Sequence, residues 1–283
     1  MKKNKTLRKF LENHAAVVCS VFLTVWVVIA LLAPILPIAA PDKIFDGQQL
    51  LPPMWSANGV AAHPFGTDDL GRDTLSRLAF GSRISLGFGF LCVVTSVLVG
   101  GFMGISAGYF GGIWDRFVLR VVDVLMALPS LLLAIVVVAV LGPSLWNALW
   151  AVTVVALPGF IRISRASVLA EREKEYVQAS RAFGAGAFRQ MFIVILPNCL
   201  APMIVQASLG FSDGILNMAA LGFLGLGAQP PTPEWGMMLS DSKAYLETAA
   251  WLVTWPGICI LSVVLAFNLL GDGLRDAFDP KVG

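Results

Sequence analysis

Apolar residues gather in six runs along the chain: Ala15 to about Leu36, Ile84 to Gly108, Val121 to Leu141, Leu145 to Ile163, Cys199 to Leu221 and Trp251 to Leu270. Each is close to the ~20 residues that carry an α-helix across ~30 Å of hydrocarbon. The pattern therefore predicts an all-α integral membrane protein with six transmembrane helices. Between the fourth and fifth runs lies the one long polar interruption, 175 to 197, reading EYVQASRAFGAGAFRQMFIVILP. Its first part, Glu175 to Phe183, is helix-forming. Gly184 and Gly186 then supply the backbone freedom for a turn, and Ala187 to Val194 predicts a second short helix. That second helix would put Phe188, Met191 and Phe192 on one side and Arg189 and Gln190 on the other, before Leu196-Pro197 returns the chain to the bilayer. A helix, a glycine turn and a helix between two spans suit a loop that receives force from a soluble partner.

Composition agrees with the pattern. At 57% hydrophobic, 13% charged and a mean hydropathy of +0.78, the 283 residues cannot cover a water-facing surface. The basic start, Lys2 to Lys9, precedes an apolar run too long for the 7 to 15 residues of a signal-peptide core, so it is expected to stay as the first span. Six crossings place both termini on one side. With the N-terminus inside, segments 1–14, 109–120, 162–198 and 271–283 hold 15 of the 20 lysines and arginines, leaving Lys43, Arg72, Arg77, Arg83 and Lys243 outside. This bias predicts cytoplasmic termini.

Gly142-Pro143-Ser144 predicts a tight turn between the third and fourth spans. Rows at Gly100, Gly104 and Gly108, and at Gly210 and Gly214, predict close helix packing. The cysteines at 19, 92, 199 and 259 lie in or beside apolar runs and show no disulfide or metal spacing.

Candidate chemistry is sparse. Asp68, Asp69 and Asp73 could offer oxygen ligands to a hard cation, but Arg72 and Arg77 beside them favour internal ion pairs, and no metal site is expected. No nucleophile is paired with a base, so no catalytic residue is assigned. No phosphate-binding Gly-x-x-x-x-Gly-Lys-Ser/Thr loop occurs, so energy must come from a partner or an ion gradient. An ion-coupled transporter should carry ionisable groups inside its spans. Only Asp123 and Asp213 qualify. Asp213 shares a helix face with Gly210, Gly214 and Asn217, which makes Asp213 and Asn217 candidates for a substrate pathway, with a hydrogen bond to a neighbouring helix as the alternative.

The loop resembles the EAA loop of ATP-binding-cassette importer permeases, Glu-Ala-Ala, three residues, Gly, nine residues, Ile-x-Leu-Pro. Here it reads Gln178-Ala179-Ser180, Gly184 and Val194-Ile195-Leu196-Pro197, with Gln178 replacing Glu and Val194 replacing Ile. The outer segment Gly66-Thr67-Asp68-Asp69-Leu70-Gly71-Arg72-Asp73, the stretch from Leu221 to Pro233-Glu234-Trp235-Gly236, and Gly271 to Asp276 with Asp279-Pro280 are similar to segments of the dipeptide, oligopeptide and nickel branch. The resemblance implies a type I importer permease fold in the bacterial inner membrane. It implies docking of ATPases through Gln178, Ala179, Ser180, Gly184, Gly186, Arg189, Leu196 and Pro197. It implies a homologous permease partner, two cytoplasmic ATPases that bind ATP and Mg, and an extracytoplasmic peptide-binding protein; this chain itself needs no cofactor and binds no nucleic acid. The cargo it implies is a dipeptide or short peptide, with nickel complexes, longer peptides or antimicrobial peptides as alternatives. Residues 1–81 are expected to form the N-terminal segment, first helix and long outer loop, 82–271 the permease core with the coupling loop at 175–197, and 272–283 a cytoplasmic tail.

Overall fold

The computed structural model describes residues 8–278. Lys2, Lys3 and Lys5 and the Asp279-Pro280 end of the C-terminal motif lie outside them. Nine helices are sufficient to follow the chain: α1 (His14–Leu32), α2 (Thr74–Phe110), α3 (Gly112–Met126), α4 (Ser130–Leu141), α5 (Leu145–Arg172), α6 (Glu175–Ala182), α7 (Ala187–Phe223), α8 (Trp235–Asp241) and α9 (Trp251–Phe278). Helices α1, α2, α5, α7 and α9 are each long and apolar enough to cross a membrane, and α3 with α4 form a pair that passes the same test but bends by 93°. The expected third span is thus a broken helix. Its break falls at Ala127–Pro129, where Pro129 lacks the N–H that would continue the ladder and restricts Leu128 before it.

Packing fixes the direction of each helix. A Cβ on Gly100, Gly104 or Gly108 of α2 would strike Phe160, Ile161 with Ser164, and Arg165 with Val168 of α5 respectively. Both series rise together, as does the Thr95 to Thr153 hydroxyl contact of 3.1 Å, so α2 and α5 run parallel. The chain between them, α3 and α4, must therefore return across the membrane. Gly89 faces Phe211 and Ile215 whereas Gly101 faces Met203, so α7 is antiparallel to α2. Ser212 meets Val264 and Leu209 meets Gly271, so α9 is antiparallel to α7. Ala16 of α1 lies against Gly273 of α9. The result is six crossings, with both ends of the described chain on one face.

On the opposite face, residues 33–73 and 224–250 form a cap of turns around α8, with two isolated antiparallel bridges, Ile44 with Arg72 and Thr67 with Asp73. The ion pairing expected of Arg72 and Arg77 is found here. Asp68 takes Arg72 Nε at 2.6 Å and Arg77 Nε at 3.5 Å, and Arg77 reaches Asp241 at 3.8 Å. Asp73 caps α2 by accepting from the Ser76 N–H at 2.7 Å, and its other oxygen lies 2.9 Å from His63 Nδ1. Gly66 and Gly71 have φ of +80° and +82°, and Thr67 is buried, donating to the Gln48 carbonyl. Helix α2 runs unbroken through 81–82 and α9 through 271–272, so neither expected boundary coincides with a helix end.

Candidate functional site

The polar interruption forms a projecting loop on the face that carries both ends of the described chain. Helix α6 is anchored by Val177, which is buried among Ile105, Val168, Met191, Ile195 and Cys199. Phe183 then emerges 92% exposed and Phe188 70% exposed. Gly184 between them adopts φ +82°, the left-handed turn that the sequence suggests. Gly186 does not share this role, because its φ of −67° is open to any residue.

The expected second helix also differs. Ala187–Arg189 is a short α-turn, Gln190–Ile195 is π-helical, and the chain continues as Leu196–Phe223 without a break. A π-turn holds more residues than an α-turn and rotates the following face. Gln190 is therefore buried beside Met191, not exposed with Arg189, and Pro197, which has no N–H to give to the ladder, directly follows the π-turn.

Three residues not singled out by sequence tie this loop to its neighbours. Glu171 at the end of α5 accepts from the Tyr176 hydroxyl of α6 and pairs with Lys174 at 2.6 Å, and Asn198 of α7 donates to the Tyr176 oxygen at 3.0 Å. One tyrosine thus connects both flanking spans to α6. Partial burial and the hydrogen bond to Glu171 push its hydroxyl up from the ordinary value of 10 to about 12. Gln178 donates to the Glu173 carbonyl at 3.0 Å, while Ala179 and Arg189 are exposed and Ser180 half-buried. A cleft of about 700 Å³ opens between α6 and the ends of α2 and α5, with Arg172, Gln178 and Arg181 on its walls.

A second groove, about 470 Å³, opens within the membrane layer between α4, α5 and α7. Gln206, Asp213 and Asn217 line it, positions that recur along one helical face over roughly 16 Å. Gln206 was not among the expected residues. Asn217 donates to the Asp213 backbone carbonyl at 2.8 Å and Ser212 to Val264, so neither satisfies the Asp213 carboxylate. That carboxylate has no hydrogen-bond or ion-pair partner among the described residues.

The outer motif is a fastening. Glu234 is buried and caps α8, accepting from the N–H groups of Gly236 at 2.9 Å and Met237 at 2.8 Å and from the Ser85 hydroxyl at 3.2 Å. Burial pushes its carboxyl up, against the pull of those bonds. Trp235 is fully buried, donates to the Leu78 carbonyl at 3.1 Å and stands edge-on to Trp26. Gly236 lets α8 lie directly on the Ala219 backbone of α7.

A family model for the binding-protein-dependent transport system inner membrane component matches residues 96–283, and one for the N-terminal transmembrane domain of oligopeptide transport permease C matches residues 4–53. The dipeptide transport system permease protein of Escherichia coli is 58% identical over 273 residues, covering 96% of this chain and 91% of that protein. Its counterpart from Haemophilus influenzae is 50% identical over 96% of this chain and 92% of its own length. The di/tripeptide transport system permease protein of Pseudomonas aeruginosa is 49% identical over 97% and 91%. In fold, the chain is similar to an inward-facing conformation of the MetNI methionine ABC transporter, with a TM-score of 0.59 at 21% identity over 72% of this chain and 98% of that one. Matched in sequence across its membrane core and in fold to a solved importer, the chain belongs to the family of binding-protein-dependent transport system inner membrane components, as a multi-pass permease subunit of the bacterial inner membrane.

Proposed function

We propose that this chain forms half of the translocation pathway of an ATP-driven importer of dipeptides or short peptides. The observation that carries the proposal is the loop: α6 is bonded to both flanking spans through Tyr176 while Phe183 and Phe188 stand bare beside a left-handed glycine. Exposed aromatic rings next to exposed Ala179 and Gln178 form a compact docking knob, a surface that a soluble partner can cover. Two cytoplasmic ATPases, which hold the ATP and Mg, engage this knob and its equivalent on a homologous permease. A peptide-binding protein delivers cargo to the opposite, capped face. The chain itself performs no hydrolysis.

Closing of the ATPases moves α6. Because Glu171, Tyr176 and Asn198 join α6 to α5 and α7, that movement tilts both spans, and both line the groove holding Asp213, Asn217 and Gln206. Access then alternates between the two faces. A division of the chain into an N-terminal segment, first helix and outer loop to 81, a core over 82–271 with the coupling loop at 175–197, and a cytoplasmic tail over 272–283 fits this scheme, as do the cytoplasmic termini that the charge bias predicts.

The test is uptake of a labelled dipeptide by a strain lacking the chromosomal copy, with and without this chain. Restored uptake is expected with the parent, and loss with Phe183→Ala paired with weaker co-purification of the ATPases. Uptake of the dipeptide that is indifferent to this chain would overturn the reading.

A further inference from the structure

The first nine residues of α2, Thr74 to Ser82, lie beneath the cap and none of them is exposed. Arg83 is the first exposed residue of the helix. It is also the last charge before Asp115. Among the described residues it has no hydrogen-bond or ion-pair partner, although Arg72 and Arg77 on the same side are both paired. An arginine at the edge of an uncharged span seeks an anion or water at the level of the headgroups.

Two apolar grooves converge on this residue. One, of about 580 Å³, runs along α1 from Leu23 through Val27 to Leu31, with Phe211 and Phe267 behind it. That run covers roughly 12 Å of helix rise, within the depth of one leaflet. The other, of about 390 Å³, lies on the far side of α2 and is walled by Phe80, Phe88, Trp146 and Pro233. Arg83 and Gly87 line both. Gly87 is one turn deeper on the same face, and a Cβ there would meet nothing within 4 Å, so the ridge between the grooves is bare at the point where they separate.

We propose that Arg83 and the paired grooves hold one anionic diacyl phospholipid of the surrounding bilayer, its phosphate on the guanidinium and one acyl chain in each groove. Charge complementarity selects the occupant. The planar fork of arginine matches phosphate oxygens in a bidentate manner, and the flanking surfaces offer a chain on either side a mostly apolar wall. The lipid belongs to the leaflet that borders the cap, the outer one under the orientation proposed above. The proposal does not depend on the identity of the transported cargo.

The experiment uses the assembled transporter in nanodiscs of phosphatidylcholine alone or with phosphatidylglycerol. Retained lipid is counted by native mass spectrometry after mild delipidation, and the unfolding midpoint is measured in each lipid. Phosphatidylglycerol should be retained by the parent and should raise its midpoint. Arg83→Gln should lower retention at least tenfold and abolish the rise. Gly87→Leu, which keeps the charge and sets a side chain on the bare ridge where its Cβ meets nothing within 4 Å, should lower retention as well. Equal retention by Arg83→Gln, or equal retention of phosphatidylcholine by the parent, would overturn the proposal. So would efficient cross-linking of Gly87→Cys to the partner permease, which would place protein, and not lipid, in the grooves.

Discussion

At Tyr176 a single hydroxyl donates to Glu171 and accepts from Asn198, and its proton is held until a pH of about 12. The folded chain therefore keeps this proton where the unfolded chain, near 10, has already released it. Rising pH favours the unfolded state across that window. The bridge's contribution to stability is full below about pH 10 and lost by about 12. The tyrosinate absorbance difference between the parent and Tyr176→Phe should show a midpoint near 12. A midpoint near 10 would mean that the bridge is not formed. The two loop glycines separate in the same residue-level way. Gly184→Val forces a β-branched residue to φ +82°, a strain of about 1 to 3 kcal/mol, and should leave insertion intact while uncoupling uptake from ATP hydrolysis. Gly186→Ala, at φ −67°, should transport normally. Asp213→Asn preserves shape and removes charge from an unpaired carboxylate in the groove. Transport of peptides with a free amino terminus should fall several-fold more than that of blocked ones, both delivered by the same binding protein. Equal effects would leave Asp213 with a packing role alone.

Among the elements, the α2–α5 pair rests on glycines. A Cβ on Gly104 would overlap the Ile161 carbonyl and press on Ser164, so Gly104→Ala should destabilise the protein by about 1 to 3 kcal/mol as an overpacked contact. Gly257→Ala in α9, where a Cβ meets nothing within 4 Å, should cost nothing measurable in the same unfolding assay. The row at Gly100, Gly104 and Gly108 could be read in the sequence because a four-residue period of glycine inside an apolar run has few other uses, whereas at 210 and 214 only Gly210 is closely approached, by Phe160. The break at Pro129 was legible in principle, since proline inside a helical pattern is a local signal, yet the continuous hydropathy of 121–141 masked it. The π-helical turn at 190–195 carried no such mark. A π-turn follows from how the neighbouring spans require the face to rotate, and it moved Gln190 from the exposed side to the interior. The Glu171, Tyr176 and Asn198 bridge was hidden for a related reason: its members are polar residues at ordinary helix ends, and only the fold brings 171, 176 and 198 together. The outer Glu234-Trp235-Gly236 segment was legible as special, but its partners Ser85 and Leu78 lie some 150 positions away, so its role as a fastening emerges only in three dimensions.

For the whole molecule, hydropathy gives six runs but cannot by itself say whether the bent α3–α4 pair crosses the membrane or dips in and returns. The parallel register of α2 and α5 decides it. Thr95 opposite Thr153, Gly100 opposite Phe160 and Gly104 opposite Ser164 require Leu145 to start on the side where α2 starts, so the 112–141 segment must cross despite its 93° bend. Charge bias then predicts that the face bearing Arg172, Arg181 and Arg189 is cytoplasmic. The four native cysteines are buried, so a cysteine-free background should be attainable with small substitutions and its labelling background low. Single cysteines at Leu70, Pro143 and Phe183, all exposed, test both statements at once. Glu234 would be a poor probe of the capped face, because it is only 2% exposed. Cysteines at 70 and 143 should react with an impermeant maleimide in intact cells, and the one at 183 only after the inner membrane is opened. If 183 reacted together with 70 in intact cells and 143 only after opening, the bent pair would be re-entrant and the chain would cross five times. If all three reversed, the six crossings would stand and the charge-based orientation would be wrong.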